Sequence, residues 1–110
     1  MLKIKTEEII RIGKALSDKN RVEIIKLLSQ EELCACHILE NMKISQPTLS
    51  HHMKQLKESG LVKVTKIGTW NHYSINKETI NKYTEFLNNT LKKKEDITTK
   101  KCNNKQYEGV

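Results

Sequence analysis

Apolar residues recur at helical spacing in five segments of the chain. In the first segment, Ile9, Ile12 and Leu16 fall on one side of a helix, which is the i, i+3, i+7 pattern of a helix with one buried face. Similar spacing returns in the other four segments, which are bounded by polar or glycine residues that commonly end a helix. The predicted helices cover residues 5–16, 20–29, about 35–42, 46–59 and about 77–92.

The apolar pattern changes to alternation between the fourth and fifth helices. Val64 precedes the pair Gly68-Thr69, and Trp70 and Tyr73 follow it. Two alternating runs around a glycine turn predict a two-stranded β-hairpin with a basic tip. Two short helices joined by a tight turn and followed by a hairpin form a winged helix-turn-helix. We therefore predict a mainly α (α+β) fold of about five helices with a hairpin wing.

The fourth helix carries signals at both ends and a stripe of buried positions at Leu49, Met53 and Leu56. The Ser45 hydroxyl can accept an amide of the first turn, as an N-cap does, and Gly60 can end the helix in the left-handed conformation. A helix-turn-helix places its second helix in the major groove, with its N-terminal residues on base edges. The side chains predicted to contact DNA, from this helix and the wing tip, are Ser45, Gln46, Thr48, Ser50, His51, Lys54, Lys66 and Thr69.

The charge of the chain favours a polyanionic partner. Lys and Arg number 20 against 13 Asp and Glu, for a formal net charge of +7. Charge alone fits either nucleic acid or an anionic membrane surface, but the predicted reading helix favours double-stranded DNA. The sequence lacks an apolar run of about 18 residues and the apolar segment of a signal peptide. This predicts a cytoplasmic protein without a membrane partner.

Apolar residues are almost absent after the fifth helix. Residues 93–110 alternate charges with Asn and Thr, a composition that buries too little apolar surface to fold. We predict that residues 1–92 form one DNA-binding and dimerisation domain and that residues 93–110 are a disordered basic tail. The first and last helices offer more apolar surface than a core of this size needs, so we expect them to form a homodimer.

Two of the three cysteines, Cys34 and Cys36, stand just before the reading helix. In the cytoplasm they are expected to be reduced, and an odd count does not indicate a disulfide framework. On a regular helix, residues i and i+2 point about 200° apart, so both cannot enter one core. Thiolates favour soft ions. We therefore predict a metal or metalloid site whose occupation unwinds or bends the start of the third helix and shifts the reading helix.

Three segments resemble the ArsR/SmtB family of bacterial metal-responsive repressors, over roughly residues 7–91. They are "ALSDKNRVEIIKLL", "SQPTLSHHMKQLKESGLV" and the wing "KIGTWNHYSI". The resemblance implies a homodimer that sits on operator DNA and blocks transcription until an inducer binds. It places these side chains where family members contact DNA: Gln46, Thr48, Ser50 and His51. It also implies a structural role for His52.

The segment "ELCACHIL" is similar to the "ELCVCDL" box with which arsenic, cadmium and lead sensors of the family bind their inducer. Some arsenic sensors have a third cysteine where this chain has Leu39. A cysteine-bearing N-terminal arm, as in cadmium and lead sensors, is not expected here. Residues 77–92 lack the histidines of zinc and nickel sensors. The resemblance therefore implies arsenite or antimonite held by Cys34 and Cys36, with Cys102 or a small thiol as a further candidate ligand.

Several alternatives stay open on the sequence. The inducer could be cadmium, lead or copper(I), with His37 as a nitrogen ligand, although a lone histidine is seldom a ligand. A thiol redox switch would need a Cys-x-Cys disulfide, whose small strained ring is disfavoured. A constitutive DNA-binding protein would respond to no inducer. An enzyme such as a thiol reductase would need a Cys-x-x-Cys motif or an anion loop. The sequence has neither, so we predict no enzymatic activity and no cofactor.

Overall fold

A computed structural model describes residues 3–92, and its helices follow the apolar segments of the sequence. The elements are α1 (Thr6–Ala15), α2 (Lys19–Leu28), β1 (Leu33–Cys34), α3 (Ala35–Glu40), α4 (Gln46–Glu58), β2 (Val62–Ile67), β3 (Trp70–Ile75) and α5 (Lys77–Phe86), which continues as a π-helical turn (Leu87–Leu91). Within residues 3–92, none of these helices has the length and apolar content needed to cross a membrane. The predicted tail, residues 93–110, lies outside the described residues and stays a prediction.

Local signals explain where α2 begins and where α4 ends. The Asp18 carboxylate accepts the backbone amide of Arg21 at 3.2 Å, so α2 begins directly after Asp18. Gly60 follows the last residues of α4 with a φ of 83°, a conformation that a residue with a side chain rarely adopts. The Gly60 backbone therefore turns the chain from α4 towards β2, as its position in the sequence predicted.

The wing belongs to a three-stranded antiparallel sheet with the strand order β1-β3-β2. Strands β2 and β3 form the predicted hairpin, with Ile67 opposite Trp70 across a two-residue turn. The two-residue strand β1 pairs with the other edge of β3 and places Leu33 opposite Tyr73. The prediction of a two-stranded sheet was therefore incomplete, because a third strand lies just ahead of α3.

One core holds the helices and the start of the wing together. Its partly buried outer layer includes Ile80 and Tyr83 of α5. Burying a large apolar side chain stabilises a fold by roughly 1.5–3 kcal/mol relative to leaving it exposed. The largest fully buried side chains come from α1, α2, α3, α4 and the segment before β2: Ile12, Ile24, Ile38, Leu56 and Leu61. Within this shared core, α3 and α4 form a helix-turn-helix, and the wing follows directly in the chain.

Large apolar side chains remain exposed on α1 and at the end of the last helix. Ile10 is 50% exposed, Leu87 37% and Leu91 66%. Single exposed apolar residues are ordinary on a protein surface. These three, however, lie on the two helices that the sequence predicted to form the dimer.

Candidate functional site

The first turn of α4 is fixed by its own cap. The Ser45 hydroxyl accepts the backbone amide of Thr48 at 3.2 Å and donates to Thr48 Oγ1 at 2.9 Å. Pro47 occupies a first-turn position, where its missing amide hydrogen costs nothing. The cap therefore holds the start of the helix while the neighbouring Gln46 side chain stays exposed.

The side chains predicted to contact DNA lie together on one exposed face of α4. Leu49, His52 and Met53 are buried, and the polar residues between them are exposed. The predicted contact residues of α4 are all exposed: Gln46, Thr48, Ser50, His51 and Lys54. Lys66 and Thr69 of the wing are exposed as well, so all the predicted DNA-contacting side chains, with Ser45, are accessible to a partner.

A shallow cleft joins the exposed face of α4 to the wing. Its lining includes Ser50 and Lys54 from α4, and Val64 and Asn71 from the sheet. Lys57, near Lys54 on the next turn of α4, lines the cleft too. The sequence prediction omitted Lys57 and Asn71, because neither segment alone indicates how closely the wing approaches α4. Cations at the edge of such a cleft suit a phosphate backbone.

The adjacent histidines of α4 have different surroundings. His51 is exposed, whereas His52 is only 6% exposed. Arg21 Nη1 lies 3.2 Å from His52 Nδ1, and the same guanidinium donates to the carbonyl oxygens of Ala15 at 2.8 Å and Lys14 at 3.1 Å. This network connects α4 to the end of α1 and the start of α2. His52 therefore positions the helix, and His51 is free to meet an outside partner.

Asp18 adds a negative charge to this network, since its Oδ1 lies 3.9 Å from His52 Nδ1. The backbone amide of Arg21 donates to the carboxylate and lowers its pKa below the ordinary value of 3.8, while desolvation opposes the shift. The charges of His52 and Arg21 lower this pKa further. Asp18 is therefore ionised at neutral pH beside the guanidinium that holds α4 in place.

Cys34 and Cys36 lie on two different elements. Cys34 ends β1 and precedes α3 with an extended backbone, φ −80° and ψ 162°, whereas Cys36 lies in the first turn of α3. This change of backbone lets the two sulfurs meet, and the structure joins them in a disulfide. Only Cys34 is buried, which agrees with the expectation that both side chains cannot enter one core, whereas the regular helix assumed between them is wrong. The structure also has a disulfide at a spacing where the sequence disfavoured one.

The ring of His37 completes a group of three potential ligands, which we call the β1–α3 site. His37 Nδ1 lies 3.3 Å from Cys34 Sγ, and the ligand atoms of Cys34, Cys36 and His37 all lie within 4.8 Å of one another. Cys34 is buried, while Cys36 and His37 are exposed, so the site opens to solvent on one side. Cys102 lies outside the described residues, and its role as a ligand stays a prediction.

The β1–α3 site is connected to α4 through the core. Ile38 of α3 is fully buried in the same cluster as Leu49 and Met53 of α4. On the other side, Cys34 pairs with His72 in β3, which is a strand of the wing. A displacement at this site would therefore reach both α4 and the wing.

Comparisons with known proteins match the segment that contains both sites. The family described as "Bacterial regulatory protein, arsR family" matches residues 18–64. The chain is 46% identical to the arsenical resistance operon repressor of Staphylococcus xylosus over 85 residues, 77% of this chain and 78% of that protein. It is 38% identical to the cadmium resistance transcriptional regulatory protein CadC homolog of Staphylococcus aureus over 79 residues, 71% of this chain and 65% of that protein.

A solved structure extends the similarity to the fold. It is the solution structure of a homodimeric winged helix-turn-helix DNA-binding domain from Mycobacterium bovis, a possible ArsR-family transcriptional regulator. The TM-score is 0.64 at 26% sequence identity, covering 76% of this chain and 84% of that chain. The predicted winged helix-turn-helix is therefore confirmed, with the third strand as an addition.

Proposed function

The chain belongs to the arsR family of bacterial regulatory proteins, and from this premise we propose that it is a dimeric repressor released from operator DNA by arsenite or antimonite. The proposed inducer ligands are the sulfurs of Cys34 and Cys36. One observation carries the proposal: these sulfurs meet at the start of α3, which packs against the helix with the DNA-facing side chains. The similarity to an arsenical resistance operon repressor supports the choice of arsenite.

The proposed DNA contacts divide between base edges and phosphates. Gln46 and His51 are exposed in the first two turns of α4, where a recognition helix meets base edges in the major groove. Lys54 lies further along α4 and Lys66 on the wing, where they suit phosphate contacts. The N-terminus of α4 adds its own attraction for phosphate. The net charge of +7 supports binding that weakens as salt rises.

Dimerisation would present two reading helices to an operator with two half-sites. Ile10, Leu87 and Leu91 supply exposed apolar surface on α1 and at the end of the last helix. The homodimeric relative from Mycobacterium bovis supports the same assembly for this chain. We therefore expect an inverted repeat whose half-sites lie a whole number of DNA turns apart, each turn being about 34 Å.

Arsenite binding uses the reduced form of the site. A thiol reductant supplies two electrons and two protons, which convert the Cys34–Cys36 disulfide into two thiols. Arsenous acid, As(OH)₃, then condenses with both thiols, forming two As–S bonds and releasing two water molecules. Arsenic stays in the +3 state and keeps one hydroxyl group. Soft sulfur ligands favour this thiophilic element over the oxygen ligands that it loses.

Induction is proposed to act on the shape of the β1–α3 site. Arsenic bound by Cys34 and Cys36 fixes the spacing of the two sulfurs, and with it the angle between β1 and α3. Ile38 passes this change to α4 and the pairing of β1 passes it to β3. If arsenic binds the altered shape more tightly, it shifts the equilibrium away from the DNA-competent shape. The size of the shift is set by the ratio of the arsenic affinities of the two shapes. In contrast to the mechanism expected from sequence, α3 does not need to unwind.

Operator binding by the reduced full chain, with and without arsenite, tests this proposal. The operator would first be selected in vitro from random-sequence DNA, and binding followed by fluorescence anisotropy of the labelled duplex. The wild-type protein is expected to release the operator when arsenite is added. Cys36→Ser is expected to bind equally well and to stay bound, because a serine hydroxyl is not a soft ligand. Release of Cys36→Ser at the wild-type arsenite concentration would overturn the assignment.

Cys102→Ser is the matched control, since it removes the remaining thiol of the chain. Its effect on release is expected to be small if residues 93–110 form the disordered tail that the sequence predicts, because such a tail would lose conformational freedom in bringing its sulfur to the site. A complete loss of the response in Cys102→Ser would instead indicate three thiolate ligands, with the tail supplying the third.

A further inference from the structure

Two large apolar side chains are exposed at the tip of the wing. Ile67 ends β2 and is 55% exposed, and Trp70 begins β3 and is 61% exposed. They lie directly opposite each other across the turn Gly68-Thr69, and directly opposite residues of antiparallel strands place their side chains on the same face of the sheet. The two side chains therefore form one apolar pair outside the core, which we call the tip pair.

The two faces of the hairpin each carry a positive charge. Side chains alternate between the faces along a strand, so Lys66 and its partner Asn71 lie on the face opposite to the tip pair. Lys63 lies on the same face as the tip pair, four residues before Ile67. Both lysines are exposed, and residues 62–75 contain no Asp or Glu. The wing therefore attracts a polyanion to both of its faces.

The face of the wing that carries Asn71 continues into the proposed DNA-facing side of α4. Asn71 lines the cleft between the wing and α4 together with Ser50 and Lys54. DNA whose major groove holds α4 would therefore extend along the wing, where its next groove is the minor groove. That groove is about 6 Å wide, it is bordered by two phosphate strands, and deoxyribose rings form much of its walls. An apolar tip with a lysine on either side of the hairpin complements both features.

We propose that the tip pair enters the minor groove beside each operator half-site and makes the protein prefer A·T pairs there, an assignment that rests on the proposed function in placing α4 on DNA. Apolar side chains are a common means of binding in this groove. A G·C pair presents the 2-amino group of guanine there, whereas an A·T pair presents only acceptors. The amino group projects from the groove floor, and an apolar side chain crowds it and leaves it without a hydrogen-bond partner.

Inosine substitution in the operator tests the proposal with the unaltered full chain. An inosine·cytosine pair lacks the 2-amino group and keeps the major-groove edge of a G·C pair. Two duplexes would share the selected half-sites and differ only in their flanks, and anisotropy would measure both affinities. The inosine flanks are expected to be bound at least about fivefold more tightly, the lower end of the usual cost of one unfavourable base pair. Equal affinities for the two flanks would overturn the proposal.

Ile67→Ala and Trp70→Ala assign the flank preference to the tip pair. Each variant is expected to reduce the preference and the double variant to abolish it, while the slope of log affinity against log salt stays unchanged because no charge is removed. Trp70→Phe keeps an aromatic ring and is expected to keep most of the preference. Lys66→Ala is the matched control, since it should lower the slope and keep the preference. A double variant that still distinguished the flanks would overturn the assignment.

Two other roles of the tip pair predict different results. If the pair only held the two strands together, the double variant would unfold at a lower temperature and the wild-type protein would bind both flanks equally. If a second copy of the chain covered the pair, the double variant would change the mass of the free protein in sedimentation, again with equal flank affinities in the wild type. Either result would overturn the proposal.

The same measurements separate this proposal from the proposed function. A wild-type protein that selects no operator from random DNA overturns both. A selected operator with equal affinities for the two flanks overturns the role of the tip pair alone. A flank preference without any release by arsenite overturns the inducer assignment alone.

Discussion

The two helices of the helix-turn-helix, α3 and α4, each begin after a residue with an extended backbone. The two residues, Cys34 and Ser45, have nearly the same backbone angles but different side chains. Cys34 precedes α3 with φ −80° and ψ 162°, and Ser45 precedes α4 with φ −75° and ψ 161°. The Ser45 hydroxyl accepts a first-turn amide. Among the described residues, the Cys34 sulfur caps no amide and instead contacts Cys36 and His37.

This difference separates a fixed helix start from an adjustable one. Helix α4 has 13 residues and a side-chain cap, whereas α3 has six residues and depends on packing for its stability. A capping side chain is committed to its own backbone, while a sulfur that caps no amide becomes available to an outside ligand once its disulfide is reduced. One backbone conformation before a helix can therefore either cap the helix or present a ligand atom. The side chain of that residue decides which.

The residue before α3 is tested by giving it the side chain that precedes α4. Cys34→Ser places a good N-cap hydroxyl before α3 and removes one soft ligand. We expect arsenite-induced release to be abolished while operator binding is kept, because the helix start becomes committed to its own amides. Anisotropy titrations with and without arsenite measure this directly. A Cys34→Ser protein that still responded to arsenite would show that the sulfur is not a ligand.

The exposed face of α4 is tested by truncating its proposed base contacts. Gln46→Ala and His51→Ala are each expected to weaken operator binding by roughly 1–3 kcal/mol, the usual size of a lost base contact. Binding to random DNA should change much less. Gln30→Ala is the matched control, since Gln30 is exposed in the turn after α2. Equal losses on operator and random DNA would rule out base reading by Gln46.

The contribution of the α4 cap is tested by Ser45→Ala. The Thr48 amide loses its side-chain acceptor, so we expect the free energy of unfolding to fall by about 1 kcal/mol. Denaturant unfolding measures this value. The control is Ser29→Ala at the end of α2, where the exposed hydroxyl donates to the Lys26 carbonyl and a change within about 0.5 kcal/mol is expected. A similar loss in both variants would remove the special role of the cap.

The smallest expected effect concerns the wing. Lys66→Ala should reduce the slope of log affinity against log salt by about one, as for the loss of one phosphate contact. Sequence preference should not change. Lys26→Ala, which removes a lysine paired with Glu23 on α2 at 3.5 Å, should leave the slope unaltered. An unchanged slope in Lys66→Ala would place the wing tip away from the DNA backbone.

Helix α4 could be predicted from the sequence because its determinants are local. The cap at Ser45, the stripe from Leu49 to Leu56 and the stop at Gly60 all lie within one short segment, and the structure has each of them. The exposed face follows directly from the buried one. The candidate DNA-contacting residues of this helix were therefore placed correctly on its surface.

The β1–α3 site could not be predicted in the same way because its geometry depends on a distant strand. Strand β1 has two residues, too few for a recognisable pattern, and it exists through pairing with His72 and Tyr73 of β3. That pairing extends the backbone at Cys34 and brings its sulfur to Cys36. The sequence identified the cysteines but assumed a regular helix between them, and so it placed their side chains apart.

The position of Trp70 gives this protein a built-in optical probe. It is the single tryptophan of the chain, it begins β3 beside the wing turn, and it is 61% exposed. Indole emission is sensitive to water and to stacked bases, so the tryptophan emission of the unlabelled protein reports on the wing. Following that emission beside anisotropy of labelled DNA would time the departure of the wing separately from the departure of the whole protein.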